Sequence, residues 1–164
     1  MAEIGLTRGL VALVDDEDLE RLAPYRWAAR PASNTPGGWY AHRNDPVLGT
    51  VYLHRQLMGV GRGDPDVDHV NGDGLDNRRA NLRLASRSQN LANRGKQRGT
   101  YSSRYKGFTW LADCRRWKAY VGIRGRTMHL GLFTDERQAA LAYDRAALDA
   151  FGEFARLNFP EVPA

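Results

Sequence analysis

The chain has 164 residues, 42% hydrophobic and 26% charged, which fits a globular chain of one large domain or two small ones. No apolar run approaches the ~18 residues that a membrane span needs, and the single cysteine, Cys114, excludes an internal disulfide framework or a zinc site built on several thiolates. The net charge of +5 is uneven: −2 over residues 1–50, +1 over 51–93 and +6 over 94–164, which points to a polyanionic partner for the C-terminal half, with a merely solubilising surface as the alternative. The lone cysteine suits a reducing cytoplasm. MAEIGLTRGL carries no basic stretch ahead of an apolar one, so no signal peptide is expected.

The first region runs to about Gly49 and reads as a strand-rich scaffold without a catalytic constellation. Gly9 to Val14 is a short β-prone run. Asp15 to Asp18 supplies an N-cap and an acidic first turn for a short helix, Leu19 to about Leu22, which Pro24 ends. Trp27-Ala28-Ala29 and Trp39-Tyr40-Ala41 read as strands around a loop from Pro31 to Gly38.

The second region, 51–93, reads as strand Val51–His54, a helical turn over Arg55–Met58, a loop, strand Val67–Val70, an Asn71-Gly72-Asp73-Gly74 turn and strand Asn81–Ala85. Ser86 and Gln89 match a capping box for a helix from Arg87 to about Asn93. His54 reads as packed or locally hydrogen-bonded. Residues 94–104, RGKQRGTYSSR, form a basic linker, read evenly as a solvated tether or as a strap along phosphates.

In the third region, 105–160, three strands are predicted over 105–110, 117–123 and 127–133. Trp117, Ala119, Val121 and Ile123 alternate with Arg116, Lys118, Tyr120 and Gly122. Met128, Leu130 and Leu132 alternate in the same way with Thr127, His129 and Gly131. Thr134 is the expected cap of a helix with an Ala-rich apolar stripe from Ala139 to Phe151, stopped at Gly152. One sheet face is then expected on the helix, and the other is basic and aromatic.

The sharpest pattern is VDHVNGDGLDNRRANLRLASRSQN. Asp68 and Asn90 are oxygen donors of the kind a hard divalent cation takes. His69 can take a proton from a water beside a phosphate. Adjacent strand residues point to opposite faces, so Asp68 and His69 converge only where the strand twists or ends. Asn81 alone could be ordinary turn chemistry.

These residues resemble the HNH nuclease family, in the H-N-N variant of phage and intron homing endonucleases. The resemblance rests on the Asp-His pair, the GDGLDN loop, the ANLRL strand and the helical asparagine. It implies a ββα-metal module in which His69 is the general base and Asp68 and Asn90 hold magnesium or manganese. Asn81 would bond across the loop to hold His69 in place. The stretches YKGFTW, RRWKAYVGI, MHLGLF, ERQAALAYDRAAL and FGEFARLNFP resemble the APETALA2 DNA-binding domain. That resemblance implies a three-stranded sheet entering the major groove, with Lys106, Arg116, Lys118, Tyr120, Arg124 and His129 on or beside the DNA face. Family residues are replaced at Thr109, Gly122 and His129, so the docking mode carries over and base specificity does not. Arg83 and Arg87 are further phosphate-contact candidates.

The expectation is an α+β protein: an HNH nuclease domain over 1–93 with its motif core at 51–93, a linker over 94–104, and an APETALA2-like domain over 105–160. The expected activity is metal-dependent hydrolysis of double-stranded DNA by a phage or intron homing nuclease, in a bacterial or phage-infected cytoplasm, with no membrane and no obligate protein partner. A non-enzymatic DNA-binding regulator on an inactive nuclease fold is the alternative. A structured-RNA binder is a third reading, which the sheet-plus-helix reader disfavours.

Overall fold

The computed structural model describes residues 1–32, 38–96 and 102–161. Its contacts divide the chain into two compact units, Met1–Ser86 and Arg87–Ala164. Most of the Pro31–Gly38 loop, and residues 97–101 of the expected linker, lie outside the described residues.

The N-terminal unit opens with β1 (Ala2–Gly5), paired antiparallel with β2 (Val11–Val14). β1 has no counterpart in the sequence reading. AEIG offers one deeply buried side chain, Ile4, and pairing with β2 rather than its own pattern makes it a strand. α1 (Asp16–Leu22) begins three residues earlier than expected. β3 (Ala28–Pro31), β4 (Trp39–Asp45) and β5 (Gly49–Tyr52) form an antiparallel meander. β5 stops at Tyr52, and His54, expected at a strand end, lies in α2 (Leu53–Leu57) instead. Leu53 and Leu57 sit four apart and are both buried, which a helical turn achieves and an extended chain does not. β6 (Asp66–His69) and β7 (Leu82–Ala85) pair antiparallel, with His69 opposite Leu82.

One core holds this unit. Val14, Leu22, Ala41 and Leu53 are fully sealed, with Trp27, Leu57, Val67 and Leu82 packed around them. Each large aliphatic side chain so buried contributes roughly 1.5–3 kcal/mol relative to exposure.

The C-terminal unit begins with α3 (Arg87–Asn93). β8 (Phe108–Leu111), β9 (Arg116–Ile123) and β10 (Arg126–Phe133) form an antiparallel sheet in the order β10-β9-β8, followed by α4 (Glu136–Phe151). Short side chains let sheet and helix approach closely: Ala119 meets Ala139 and Ala140 beside Phe108, while Val121 meets Tyr143 and Ala147. The buried stripe is narrower than expected, since Ala150 is exposed.

Three details shape this unit. Asp135, not Thr134, caps α4, its carboxylate accepting the Gln138 N–H at 2.8 Å. The β9–β10 hairpin turns on Arg124 and Gly125, both at positive φ. A bulge between His129 and Gly131 reverses the parity of β10, and Gly131 adopts φ +131 to make it. Leu132 therefore pairs with Lys118 and is exposed, while Phe133 turns toward the helix side with Trp117. The mixture of short strands and helices makes the chain α+β.

Asp144, buried on α4, fastens the C-terminal segment by accepting the N–H groups of Asn158 and Phe159 at 2.8 and 2.9 Å. Asn158 in turn exchanges two bonds with the Lys106 backbone. Gly107, next in sequence, has φ +93, and a Cβ there would overlap the Tyr143 ring. Gly107→Ala is expected to cost on the order of 3 kcal/mol, lowering Tm by more than about 10 °C in thermal unfolding.

Candidate active site

The eleven-residue excursion between His69 and Asn81 is seated on the N-terminal scaffold. Leu13 N–H donates to the Leu75 carbonyl and Asn77 N–H donates to the Leu13 carbonyl, both at 2.8 Å. The loop packs so closely on β4 that a Cβ at Gly74 would meet the Trp39 carbonyl and the Tyr40 ring. Arg79 binds buried Asp18 through Nε and Nη2 at 2.8 and 2.7 Å, and its N–H donates to Asp15. The acidic run on α1 is thus an anchor for this loop, a role the local pattern did not suggest. Within the loop, Asp76 takes both Arg78 Nε and Nη2 and the Asn71 amide. The Arg78 guanidinium holds the Asp76 carboxyl below its ordinary range.

Asn81 bonds across the loop to Asn71 and Asp76. Its Nδ2 donates to the Asp76 carbonyl and to Asn71 Oδ1, and its Oδ1 accepts the Asn71 N–H. Another asparagine of the loop, Asn77, meets the His69 ring. Asn77 is fully buried, and its Nδ2 points to the Gly74 carbonyl at 3.4 Å, so its Oδ1 faces His69 Nε2, also at 3.4 Å. An acceptor there favours the tautomer protonated on Nε2, with the basic lone pair on Nδ1. Burial lowers the His69 pKa, opposed by the Asn77 bond and by the charges of Asp68, Asp73 and Asp76.

Aromatic rings wall His69. Tyr40 lies 5.9 Å from it between ring centroids, and His54 lies 5.0 Å away, edge to face. His54 itself stacks on Tyr52 at 5.5 Å.

β6 ends at His69, and both Asp68 and His69 are 95% buried there. Asp68 Oδ2 accepts Nε and Nη2 of Arg83, directly opposite on β7, at 3.0 and 2.9 Å. Arg83, a candidate phosphate contact, is engaged with Asp68, because a buried carboxylate needs a cationic partner. A carboxylate offers about four lone-pair sites, so this pairing leaves the donor chemistry of Asp68 compatible with a hard cation. Among the described residues no cluster of three or more His, Cys, Asp or Glu side chains could hold a metal. A cation here would take one carboxylate from this unit, with waters and phosphate oxygens as further ligands. Asn90 and Arg87 lie on α3, in the C-terminal unit. The structure brings Asp68, His69 and Asn81 together within the N-terminal unit.

Three further arginines of the motif region are also engaged. Arg78 pairs with Asp76, Arg79 with Asp18, and Arg55 donates to the Gly61 and Pro65 carbonyls.

In the C-terminal unit Arg116, Lys118 and Tyr120 share the exposed face of β9, His129 pairs with Tyr120 on that face, and Arg124 stands exposed at the hairpin tip. Lys106 does not join them. Its ammonium donates to the Ala92 and Arg94 carbonyls at 2.7 Å each and lies over the Tyr143 ring, drawn by the carbonyls at the end of α3 that the helix itself cannot bond. Burial pushes its pKa down to about 8.

A family model described as HNH endonuclease matches residues 60–92. An uncharacterized HNH endonuclease of Acanthamoeba polyphaga mimivirus is 30% identical over 159 residues, 94% of this chain and 78% of that protein. The dehydration-responsive element-binding protein 2E of Arabidopsis thaliana is 46% identical over 55 residues, 32% of this chain and 22% of its own length. An AP2-like ethylene-responsive transcription factor of Arabidopsis thaliana is 36% identical over 83 residues, 51% of this chain and 24% of its own.

Asn77→Ala is expected to release the His69 tautomer and to cost about 2 kcal/mol through the lost bonds and the cavity. Long-range proton–nitrogen spectra should show His69 protonated on Nε2 in the parent and a tautomer mixture in the variant.

Proposed function

The chain belongs to the HNH endonuclease family, and from that premise we propose that it is a metal-dependent DNA endonuclease of the phage or intron homing kind. The observation that carries this reading is His69: a buried imidazole at a strand end, its Nε2 committed to Asn77, immediately after a buried carboxylate. In the proposed reaction a water gives its proton to His69 Nδ1 as its oxygen attacks phosphorus, and the phosphodiester P–O bond breaks. Asn81, with Asn71 and Asp76, keeps the loop in the shape that presents His69. Asp68 and Asn90 would hold magnesium or manganese, with β6, β7 and α3 as a ββα-metal module. Bound there, a divalent cation neutralises charge developing on the phosphate and on the leaving oxygen.

The DNA-locating role falls to the C-terminal sheet, through Arg116, Lys118, Tyr120, Arg124 and His129, with Arg87 as a phosphate contact. The functional division, nuclease over 1–93, linker over 94–104 and DNA-binding domain over 105–160, assigns α3 to the nuclease, whereas its described backbone bonds tie it to the C-terminal unit. Among the described residues no helix is long and apolar enough to cross a membrane. A DNA-binding regulator on a silent nuclease fold remains the second reading, and the Arg83–Asp68 pair is the observation in its favour.

Plasmid cleavage should require magnesium or manganese and stop in EDTA. His69→Ala should lower the cutting rate by about 10²–10⁴-fold with DNA affinity nearly intact. DNA binding without cutting under any divalent metal would instead establish the regulator. On the binding side, Lys118→Met should weaken affinity and reduce the salt slope of binding by about one unit. Lys106→Met should lower Tm and leave that slope unchanged.

A further inference from the structure

His54 is a buried polar group that the proposed reaction leaves unused. The ring is 92% buried, since 8% of its surface is exposed. Three rings lie against it: Tyr52, Tyr40 at 5.5 Å and His69 at 5.0 Å. Nδ1 is sealed from solvent and has no hydrogen-bond partner. A phenylalanine would fill the same space without an orphaned nitrogen, so the imidazole is retained at a cost to stability. Such a cost beside a general base calls for a chemical use.

The proton can be located by the same logic. A buried N–H without an acceptor is rarer than an acceptor without a donor. Nδ1 therefore keeps its lone pair, and the proton sits on Nε2. Nε2 has no protein partner among the described residues and is not one of the sealed atoms, so it retains access to solvent. Burial, with the charges of His69 and Arg55, pushes the His54 pKa down to about 3. The ring is neutral at working pH and presents one N–H donor.

We propose that His54 is a second imidazole of the site, donating from Nε2 to a non-bridging oxygen of the phosphate on which His69 acts. The proposal rests on the nuclease reading above. A hydrogen bond to an anionic oxygen is stronger than one to a neutral acceptor. A neutral donor supplies it without adding a buried cation beside His69 when DNA is absent. His54 would then act on the substrate itself, and the Tyr52 stack would aim it.

The test compares the full chain with His54→Phe, His54→Gln and His54→Asn on a defined DNA duplex with manganese, measuring kcat, KM and Tm. His54→Phe should lower kcat about 10–100-fold at an equal or higher Tm. Glutamine places an amide N–H near the Nε2 position and should restore much of the rate, whereas asparagine reaches only the Nδ1 position and should not. The proposal is overturned if His54→Phe cuts within about twofold of the parent, or if glutamine is no better than asparagine or phenylalanine. Even if phenylalanine unfolds the chain, the glutamine–asparagine comparison decides. Parent cleavage and its loss in His69→Ala are read first. A parent that never cuts overturns the nuclease reading and this proposal with it, while a cutting parent with an equally active His54→Phe overturns this proposal alone.

Discussion

Asn77 lies fully buried between the Gly74 carbonyl and the His69 ring, and a carboxamide in that place must be satisfied at both ends. Much of the N-terminal unit follows from that demand. The loop that carries Asn77 cannot lift from the scaffold without stranding it, so the loop is bound along β2 through Leu13 and against β4 through Gly74. The same contacts orient His69, because one amide serves both the loop and the ring. The scaffold is therefore more than a support: β2, β4 and α1 each hold part of the geometry at the imidazole.

Charge is used economically in the motif region. Arg78, Arg79 and Arg83 each answer an acidic side chain that is at least 95% buried, namely Asp76, Asp18 and Asp68. A buried carboxylate without a partner would be costly, and removing either member of such a pair exposes that cost. Arginines that look like a phosphate-binding cluster in the sequence are largely the counter-ions of the fold. The exposed cations of the C-terminal sheet are different in kind. Arg116 and Lys118 stand on the strand face away from α4, with Leu132 turned out beside Lys118 by the β10 bulge.

The C-terminal unit is closed by a second polar hub. Asp144 and Asn158 hold the last segment on α4 and on the backbone at Lys106, and the Lys106 ammonium caps the carbonyls at the end of α3. A helix of two turns has little stability of its own. Here its end is fastened by a side chain that becomes half-buried to do so.

Local pattern was enough for much of this. Alternation along β9 set its inner and outer faces, since a strand's period of two leaves only one register that buries Ala119 and Val121. The Asn-Gly turn and the Asp-His pair marked the loop and its chemistry, because those residue types answer to local backbone needs and to ligand chemistry. The roles of Asn77, Lys106 and the α1 carboxylates were not legible, and neither was the parity of β10. An asparagine in GDGLDN reads as turn chemistry until its burial is known, a lysine in YKGF reads as a contact until two carbonyls claim it, and Gly131 reads as an ordinary strand glycine until the pairing shifts. Each depends on partners distant in sequence or on a cross-strand register. Sequence therefore marked most of the elements and the candidate residues, while tertiary structure decided which polar groups are committed to the fold, because burial and pairing are properties of what surrounds a side chain.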